Sequence, residues 1–160
     1  MTSMSAIGSF AGLPIDDPDA LVEVKLDLPE LRPRDVLVRV EAVSVNPADV
    51  KIRRGLPGST VPKILGFDVA GVVHAVGSEV TTLTIGDEVW CSGDVTRQGC
   101  NAEFYAVDER ITALKPQSLS FAEAAAMPLH QIDDFSAAGL REAHRLVESG
   151  RMIGKVVVHR

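Results

Sequence analysis

The sequence predicts a mainly β (α+β) fold, in which a small β-barrel carries a few short helices and ends in a helix and a strand. The chain has 160 residues, which suits one domain with a proper core. The run Ile64–Val80 is rich in β-branched residues and has no charged side chain between Asp68 and Glu79. Such a run is typical of a strand buried on both faces. The run Val36–Val45 has the alternating pattern of a second barrel strand.

Glycines punctuate the run Ile64–Val80 and its surroundings. Gly71 lies inside the run, where a missing side chain predicts a bulge or the close approach of another backbone. Gly77 and Gly86 follow it and predict turns that reverse the chain. The remaining strands are therefore expected to wrap around this one.

The segments before this run contribute further strands. Ala6–Gly12 is weakly strand-like, and Ala20–Leu28 alternates apolar with charged residues as a half-exposed strand does. In the second barrel strand one face is expected to carry Val36, Val38, Val40 and Ala42, and the other Arg39 and Glu41.

A short helix is expected after this strand, because Pro47 suits the first turn of a helix beginning at Asn46. Gly55–Pro62 is predicted to be a loop. Arg53 and Arg54 are interpreted as part of a solvated turn.

The second half of the chain contains a capping box, Ser120–Glu123, which predicts a helix beginning at Phe121 and interrupted by Pro128. A longer helix is predicted over Ile132–Gly150, with Leu140, Ala143 and Val147 as its apolar stripe and Gly150 as its C-terminal stop. Strands are predicted just before Trp90, within Gln98–Val107 and at Ile111–Pro116, and the last strand, Lys155–Val158, should join the barrel.

Composition excludes several classes of function. The formal charge of −6 and the lack of a basic cluster argue against a nucleic-acid partner. No apolar run is long enough to span a bilayer, and the first residues lack a signal-peptide pattern, so we expect a cytoplasmic protein without a membrane partner. Two cysteines are too few for a disulfide scaffold.

Three motifs resemble the medium-chain dehydrogenase/reductase superfamily. They are Gly66–Val73 with the following Val76-Gly77, Gly86–Val89, and the Gly-x-x-Ala-Glu-aromatic segment Gly99–Phe104. The resemblance implies a GroES-like β-barrel, which in that family packs against a separate Rossmann domain that holds a nicotinamide cofactor. The cofactor of the full-length relative would be NADPH, and none is expected to bind this chain alone.

The resemblance is interrupted near Leu129-His130. After the alanine-rich segment, family members continue into the Rossmann domain, whereas here Ile132–Gly150 and Gly154–Val158 resemble the family's last helix and final strand. We therefore expect a single GroES-like catalytic domain over residues 1–160, assembled from residues 1–129 and 130–160. The missing Rossmann domain would be its natural partner, and the apolar wall left by its loss would favour self-association.

Zinc binding is not expected from the motif positions. Asn46 stands where zinc-dependent members carry a cysteine, and Phe67-Asp68 stands where they carry a His-Glu pair. Cys91 and Cys100 do not supply a four-cysteine structural site. The four histidines are scattered and are interpreted as ordinary surface or core residues.

The pattern Asn46-Pro47-x-Asp49-x-Lys51 instead resembles the zinc-free quinone oxidoreductase branch, also named zinc-type alcohol dehydrogenase-like. The resemblance implies that Asn46 donates to a substrate carbonyl or to the cofactor ribose, with Pro47 beside it, although Asn46 would equally suit a turn that caps its own backbone. Asp49 and Lys51 would orient the cofactor, or form only a local ion pair. Phe67 would line the pocket, or only fill the core.

The leading functional hypothesis is the substrate domain of an NADPH-dependent, zinc-independent oxidoreductase that reduces quinones or α,β-unsaturated carbonyls and is inactive alone. The alternative is a non-catalytic GroES-like module that binds a protein or a small apolar ligand. A co-chaperonin is a weaker third reading, because Gly55–Pro62 is short and carries only Leu56 and Val61 as apolar residues.

Overall fold

The structure, a computed structural model, describes residues 3–125, 129–132, 134–148 and 155–159. The predicted mainly β, α+β class is confirmed, since most elements are strands and the helices are short. The strands are β1 Ser3–Ser9, β2 Val22–Asp27, β3 Asp35–Val45, β4 Lys63–Ile64, β5 Asp68–Val76, β6 Glu88–Ser92, β7 Phe104–Asp108, β8 Thr112–Leu114, β9 Leu129–Ile132 and β10 Lys155–His159. The helices are α1 Pro47–Arg54, α2 Phe121–Ala125 and α3 Ala137–Glu148, and a 3-10 turn spans Glu109–Ile111.

The described strands form two sheets rather than one closed ring. The smaller sheet has the order β2-β1-β4, and the larger has the order β8-β6-β5-β3-β10-β9 with β7 also paired to β3. An isolated bridge between Ala6 and Ala102 links β1 of the small sheet to the segment that leads into β7. The main core lies inside this arrangement, and a smaller core of Met4, Ala6, Ile64 and Ala102 lies beside the small sheet.

Strand β3, rather than the predicted central run Ile64–Val80, pairs with the largest number of described strands. It pairs with β5 along most of its length, with β7 through its first half and with β10 through its last residues. Strand β5 is buried on both faces only around Val69–Gly71, whereas His74 is exposed. The reason is that α2 packs on Ala42 and Ala70 and covers this end of the outer face alone.

The close backbone approach predicted at Gly71 is confirmed. A Cβ atom there would lie 2.1 Å from the carbonyl oxygen of Arg39 on β3. The pairing of β3 with β5 shifts register between Val40 and Ala42, opposite Gly71 and Ala70. Glycine is required because a side chain would push the two central strands apart.

The solvated turn predicted for Arg53 is wrong. Its side chain is fully buried, and its guanidinium donates to the carbonyl of Leu13, to Nδ1 of His144 at 3.3 Å and to Glu148 at 2.5 Å. Arg53 points inward from α1 because α3 packs on that side of the helix, and the sequence showed no sign of this contact. Arg54, the next residue, is exposed as predicted.

The start of the predicted C-terminal helix is also wrong. Leu129–Ile132 forms strand β9, which pairs in parallel with β10, and α3 begins only at Ala137. The hydroxyl of Ser136 accepts from the backbone N–H of Gly139 and caps the helix there. The predicted stop at Gly150 and the interruption at Pro128 lie outside the described residues.

The other predicted elements are found with small changes of bounds. The Ser120 capping box is present, with Glu123 accepting from the Ser120 backbone at 2.8 Å, and α2 begins at Phe121. Strand β10 joins β3 in antiparallel pairing, as expected for the last strand. Within the described residues, none of the helices has the length and apolar character required to cross a membrane.

Candidate functional site

Three polar side chains meet where β3 ends and β5 begins. Ser44 and Asn46 are two residues apart at the end of β3, so they project to the same side of the extended chain. Asp68 is the first residue of β5 and is paired directly with Ser44. Because β3 is held at this end by β5 on one side and β10 on the other, the site stands on a rigid support.

The side chain of Asn46 is oriented by this support. Its Nδ2 donates to Oδ2 of Asp68 at 3.1 Å and to Oγ of Ser44 at 3.4 Å. The Ser44 hydroxyl itself donates to Oδ2 of Asp68 at 3.2 Å. Asn46 is half-buried. Its amide donates to Ser44 of β3 and to Asp68 of β5, so it does more than cap its own backbone.

Asp49 is buried directly behind Asn46. Its carboxylate accepts from the backbone N–H of Asn46 at 2.7 Å and from that of Gly66 at 2.9 Å. Burial raises the pKa of Asp49 to about 6, against the effect of these two hydrogen bonds, and the nearby charge of Asp68 adds to the rise. Asp49 thus joins the start of α1 to the loop before β5. Its side chain is fully buried, so its carboxylate is not accessible to a cofactor.

Phe67 lies between Gly66 and Asp68 and is 5% exposed. Its carbonyl accepts from the backbone N–H of Gly93, which ties the loop after β6 to this position. Gly66 adopts a φ of 91°, a conformation that favours glycine, and the Asn101 side chain fills the space where a Cβ atom would project. The backbone around Phe67 is therefore held from three sides.

Pro47 and Lys51 are exposed on α1. Within the described part of the chain, Lys51 makes no ion pair with Asp49, because that carboxylate is turned inward to backbone amides. The structure thus brings Asn46, Asp49 and Phe67 together and leaves Lys51 on the surface. The location of these four residues alone does not assign a catalytic role to any of them.

The described residues do not fit the pyrophosphate of a dinucleotide. Such a ligand is normally held by a glycine-rich turn between a strand and a helix. In the described ranges one pair of strands is parallel, β9 and β10, and α3 connects them, with Asp134 and Phe135 before the helix. A carboxylate at that helix end repels phosphate, and the space above Gly139 is filled, because a Cβ atom there would lie 1.8 Å from the Asp134 carbonyl.

In the described ranges, no three His, Cys, Asp or Glu side chains lie close enough together to hold a metal ion. Cys91 and Cys100 are both buried, and burial raises the pKa of each thiol. The raised pKa values keep both side chains as thiols at neutral pH.

Sequence reasoning missed Ser44 and assigned Asp68 no role in orienting Asn46. The signal for Ser44 was its spacing of two residues from Asn46 in an extended segment, which predicts a shared face. The contact with Asp68 had no such signal, since it depends on the register between β3 and β5.

The comparisons with known proteins agree with this architecture. Residues 32–132 match the alcohol dehydrogenase GroES-like domain. A 2-methylene-furan-3-one reductase from Solanum lycopersicum is 43% identical over 119 residues, which cover 68% of this chain and 30% of that protein.

Two solved structures have the same fold over most of this chain. One is from Rhizobium etli and proposed to be a zinc-dependent alcohol dehydrogenase; it is 49% identical with a TM-score of 0.75, over 79% of this chain and 37% of its own. The other is a quinone oxidoreductase from Coxiella burnetii, 32% identical with a TM-score of 0.69, over 77% of this chain and 40% of its own. The chain thus spans well under half the length of the proteins that it matches. It belongs to the alcohol dehydrogenase GroES-like family and, with it, to the medium-chain dehydrogenase/reductase superfamily of oxidoreductases.

Proposed function

We propose that this chain is the substrate domain of an NADPH-dependent, zinc-independent oxidoreductase that reduces quinones or α,β-unsaturated carbonyls. The observation that carries the proposal is the oriented amide of Asn46 at the end of β3. Reduction of such substrates by hydride places negative charge on the substrate oxygen, which needs a hydrogen-bond donor fixed in advance. The 2-methylene-furan-3-one reductase and the quinone oxidoreductase among the relatives support this substrate class.

Asn46 is suited to that role because its orientation is set by the protein. The shorter contact, to Asp68 at 3.1 Å, fixes the amide plane. The contact to Ser44 is 3.4 Å long and therefore weak, so the proton that makes it is available to a substrate oxygen. Ser44 would then keep its own hydrogen bond to Asp68 and lose little.

Zinc independence is supported by the donors at the site. Asn46 supplies an amide and Phe67 a hydrocarbon ring, and neither is a usual zinc ligand. Asp68 would be the one carboxylate ligand, and it already accepts from Asn46 and Ser44. We expect less than about one tenth of an equivalent of zinc per chain by elemental analysis after purification without chelator. One full equivalent would refute this part of the proposal and would favour the chemistry proposed for the Rhizobium etli protein.

NADPH would supply the hydride. We propose that it binds to a Rossmann domain that is not part of this chain. The seam proposed near Leu129-His130 lies within β9. Because the described residues contain no phosphate-binding turn, we propose that the chain alone does not catalyse NADPH oxidation. The domain bounds, 1–129 and 130–160, and the cytoplasmic location stay predictions.

The test compares the chain alone with a fusion in which the Rossmann domain of a relative is inserted between Leu129 and His130. NADPH oxidation is followed with a panel of quinones and enones. We expect turnover only from the fusion, and a loss of roughly 100-fold in its kcat on Asn46→Ala. Gln117→Ala is the matched control, because it removes an exposed amide from the turn before α2, outside the hydrogen bonds that orient Asn46, and should leave kcat unchanged.

Two outcomes would contradict the proposal. Turnover by the chain alone at an ordinary enzymatic rate, about 1 s⁻¹ or more, would show a cofactor site within it. A fusion that binds NADPH and stays folded but reduces none of the substrates would instead favour the non-catalytic binding module.

A further inference from the structure

A cleft of about 440 Å³ opens between the small sheet and β7, away from the candidate site. Its lining includes none of Ser44, Asn46, Phe67 and Asp68. It borders the smaller core, and its lining includes Ile64 and Met4 together with Leu26 of β2 and Phe104 of β7. A cavity of this size is in the range that holds small organic ligands.

The walls are mainly apolar, and the aromatic residues among them favour a flat ligand. Phe104 and Tyr105 line the cleft from β7, and Leu26 lines it from β2, which is an edge strand. Leu26 and Phe104 are only partly buried, so both leave apolar surface that a ligand would cover. Covering apolar surface stabilises a complex by roughly 25 cal/mol for each Å².

The charges at the cleft cancel. Arg97 lines it and is paired with the buried Asp35 through hydrogen bonds of 2.7 and 2.9 Å, so this pair adds no net charge. Arg32 and Asp27 also line it and carry opposite charges. A neutral ligand is therefore favoured over an anionic or cationic one.

The Arg32 guanidinium is one of the donors that a ligand in the cleft can use. The backbone N–H of Arg32 is taken by Asp35, but within the described ranges its guanidinium makes no hydrogen bond or ion pair. Arg97, in contrast, uses both terminal nitrogens on Asp35. A carbonyl oxygen at the mouth of the cleft would accept from Arg32 without disturbing another contact.

We propose that this cleft is a second ligand-binding site, which takes a neutral, flat and largely apolar molecule with one carbonyl acceptor. The ring lies between Leu26 and Phe104, and the carbonyl accepts from Arg32. Binding here does not require the cofactor domain or Asn46, so it is independent of the proposed reductase function.

The test titrates the chain with Prodan, a neutral naphthyl ketone whose fluorescence reports an apolar environment. We expect saturable binding with a Kd on the order of 10 μM, and weaker binding of the anionic anilinonaphthalene sulfonate. Leu26→Trp fills the cleft and should weaken Prodan binding at least about tenfold. Val24→Trp is the matched control, since Val24 is partly buried on the same face of β2 but does not line the cleft. Circular dichroism and thermal melting establish that both variants fold.

A second measurement does not depend on the large substitutions. Amide chemical shifts of the wild-type chain should change on Prodan addition at Gln98, Gly99 and Phe104, and stay unchanged at Asn46 and Phe67. Arg32→Ala should weaken Prodan binding about threefold or more and leave the binding of naphthalene, which has no acceptor, unaffected. The proposal is overturned by the absence of saturable binding, by shifts confined to Asn46 and Phe67, by tighter binding of the anionic probe, or by equal Prodan affinity in Arg32→Ala.

Discussion

Asp49 stabilises the site through its hydrogen bonds and at the same time holds a buried charge. Burial raises the pKa of Asp49 to about 6 in the folded chain, whereas an unfolded aspartate titrates near about 4. Above both pKa values Asp49 is ionised in the folded and in the unfolded chain, but water solvates its charge better in the unfolded chain. The contribution of Asp49 to stability is therefore most favourable at low pH, decreases as pH rises from about 4 through the folded pKa of about 6, and then levels off.

We expect this effect in the difference between two pH profiles. The free energy of unfolding of the wild type, minus that of Asp49→Asn, should fall by about 1 kcal/mol as pH rises from about 5 to about 7. Urea unfolding at each pH measures both proteins. A flat difference over this window would mean that the carboxylate is ionised at no net penalty.

His144 is expected to act in the opposite direction. Burial lowers its pKa to about 3, and the adjacent Arg53 guanidinium adds to the decrease. The unfolded histidine takes up a proton near about pH 6.5, so its contribution to stability is complete above that value and is lost as pH falls toward about 3. The wild-type free energy of unfolding, relative to His144→Gln, should fall by about 2 kcal/mol between about pH 7 and pH 5. A difference that rises as the solution is acidified would show that His144 is protonated in the folded chain.

At the scale of elements, Arg53 joins α1 to α3. Its guanidinium lies between Leu13, His144 and Glu148, with no exposed side-chain surface. Arg54 is adjacent in sequence, but 65% of its side chain is exposed and its nearest contact to Glu148 is 3.9 Å. The two residues offer a comparison of a buried and an exposed arginine on one helix.

Arg53→Met should lower the free energy of unfolding by roughly 3 kcal/mol, because it leaves the Leu13 carbonyl and Glu148 without their buried donor. Arg54→Met should change it by less than about 0.5 kcal/mol, since exposed ion pairs contribute little. Chemical denaturation of both variants measures the difference. Equal effects would imply that the buried cluster adds nothing beyond the packing of the side chain.

Strand β10 supports the site through β3. Val157 is paired with Ser44 and Val156 with Val45, so the end of β3 has a hydrogen-bonded neighbour on each side. The Val158 side chain is fully buried in the main core. A chain without residues 150–160 should be insoluble or unfolded, because these main-chain groups and apolar atoms would lose their partners.

A milder change tests the same contact in a folded protein. Val158→Ala should lower the free energy of unfolding by roughly 1–3 kcal/mol, whereas Val61→Ala, at a position 66% exposed, should change it by less than about 0.5 kcal/mol. Thermal melts compare the two. A truncated chain with an unchanged melting temperature would contradict the assigned role of β10.

At the scale of the whole molecule, an apolar surface lies beside α2. Four residues that are register partners on adjacent strands form a row across the sheet: Ala42 of β3, Ala70 of β5, Trp90 of β6 and Ala113 of β8. Helix α2 covers Ala42 and Ala70, but Trp90 is 44% exposed and shares a shallow cleft with Ile111, which is 47% exposed.

We expect this surface to cause self-association of the isolated chain. Sedimentation velocity should show an average mass that rises with protein concentration. The double variant Trp90→Ser with Ile111→Ser should reduce that rise, whereas Val61→Ser, on an exposed loop elsewhere, should not. A wild-type chain that remains monomeric at every concentration would contradict this expectation.

Most of the fold was predictable from local patterns. Most of the strands, the turns at Gly77 and Gly86, the helix after Asn46 and the capping box at Ser120 follow from periodicity and from the conformational preferences of single residues. The family was predictable from the glycine and valine positions of Gly66–Val73, within which Gly71 allows the close approach of the β3 backbone.

The features that sequence reasoning missed all depend on contacts between distant segments. The burial of Arg53 requires α3 to pack on α1, strand β9 requires β10 as a neighbour, and the contact of Asn46 with Asp68 requires the register between β3 and β5. Polarity and periodicity describe a residue and its near neighbours along the chain. They carry no information on which distant segment will lie against it, so the inward orientation of Arg53 and the fixed amide of Asn46 emerge only once the strands and helices are assembled.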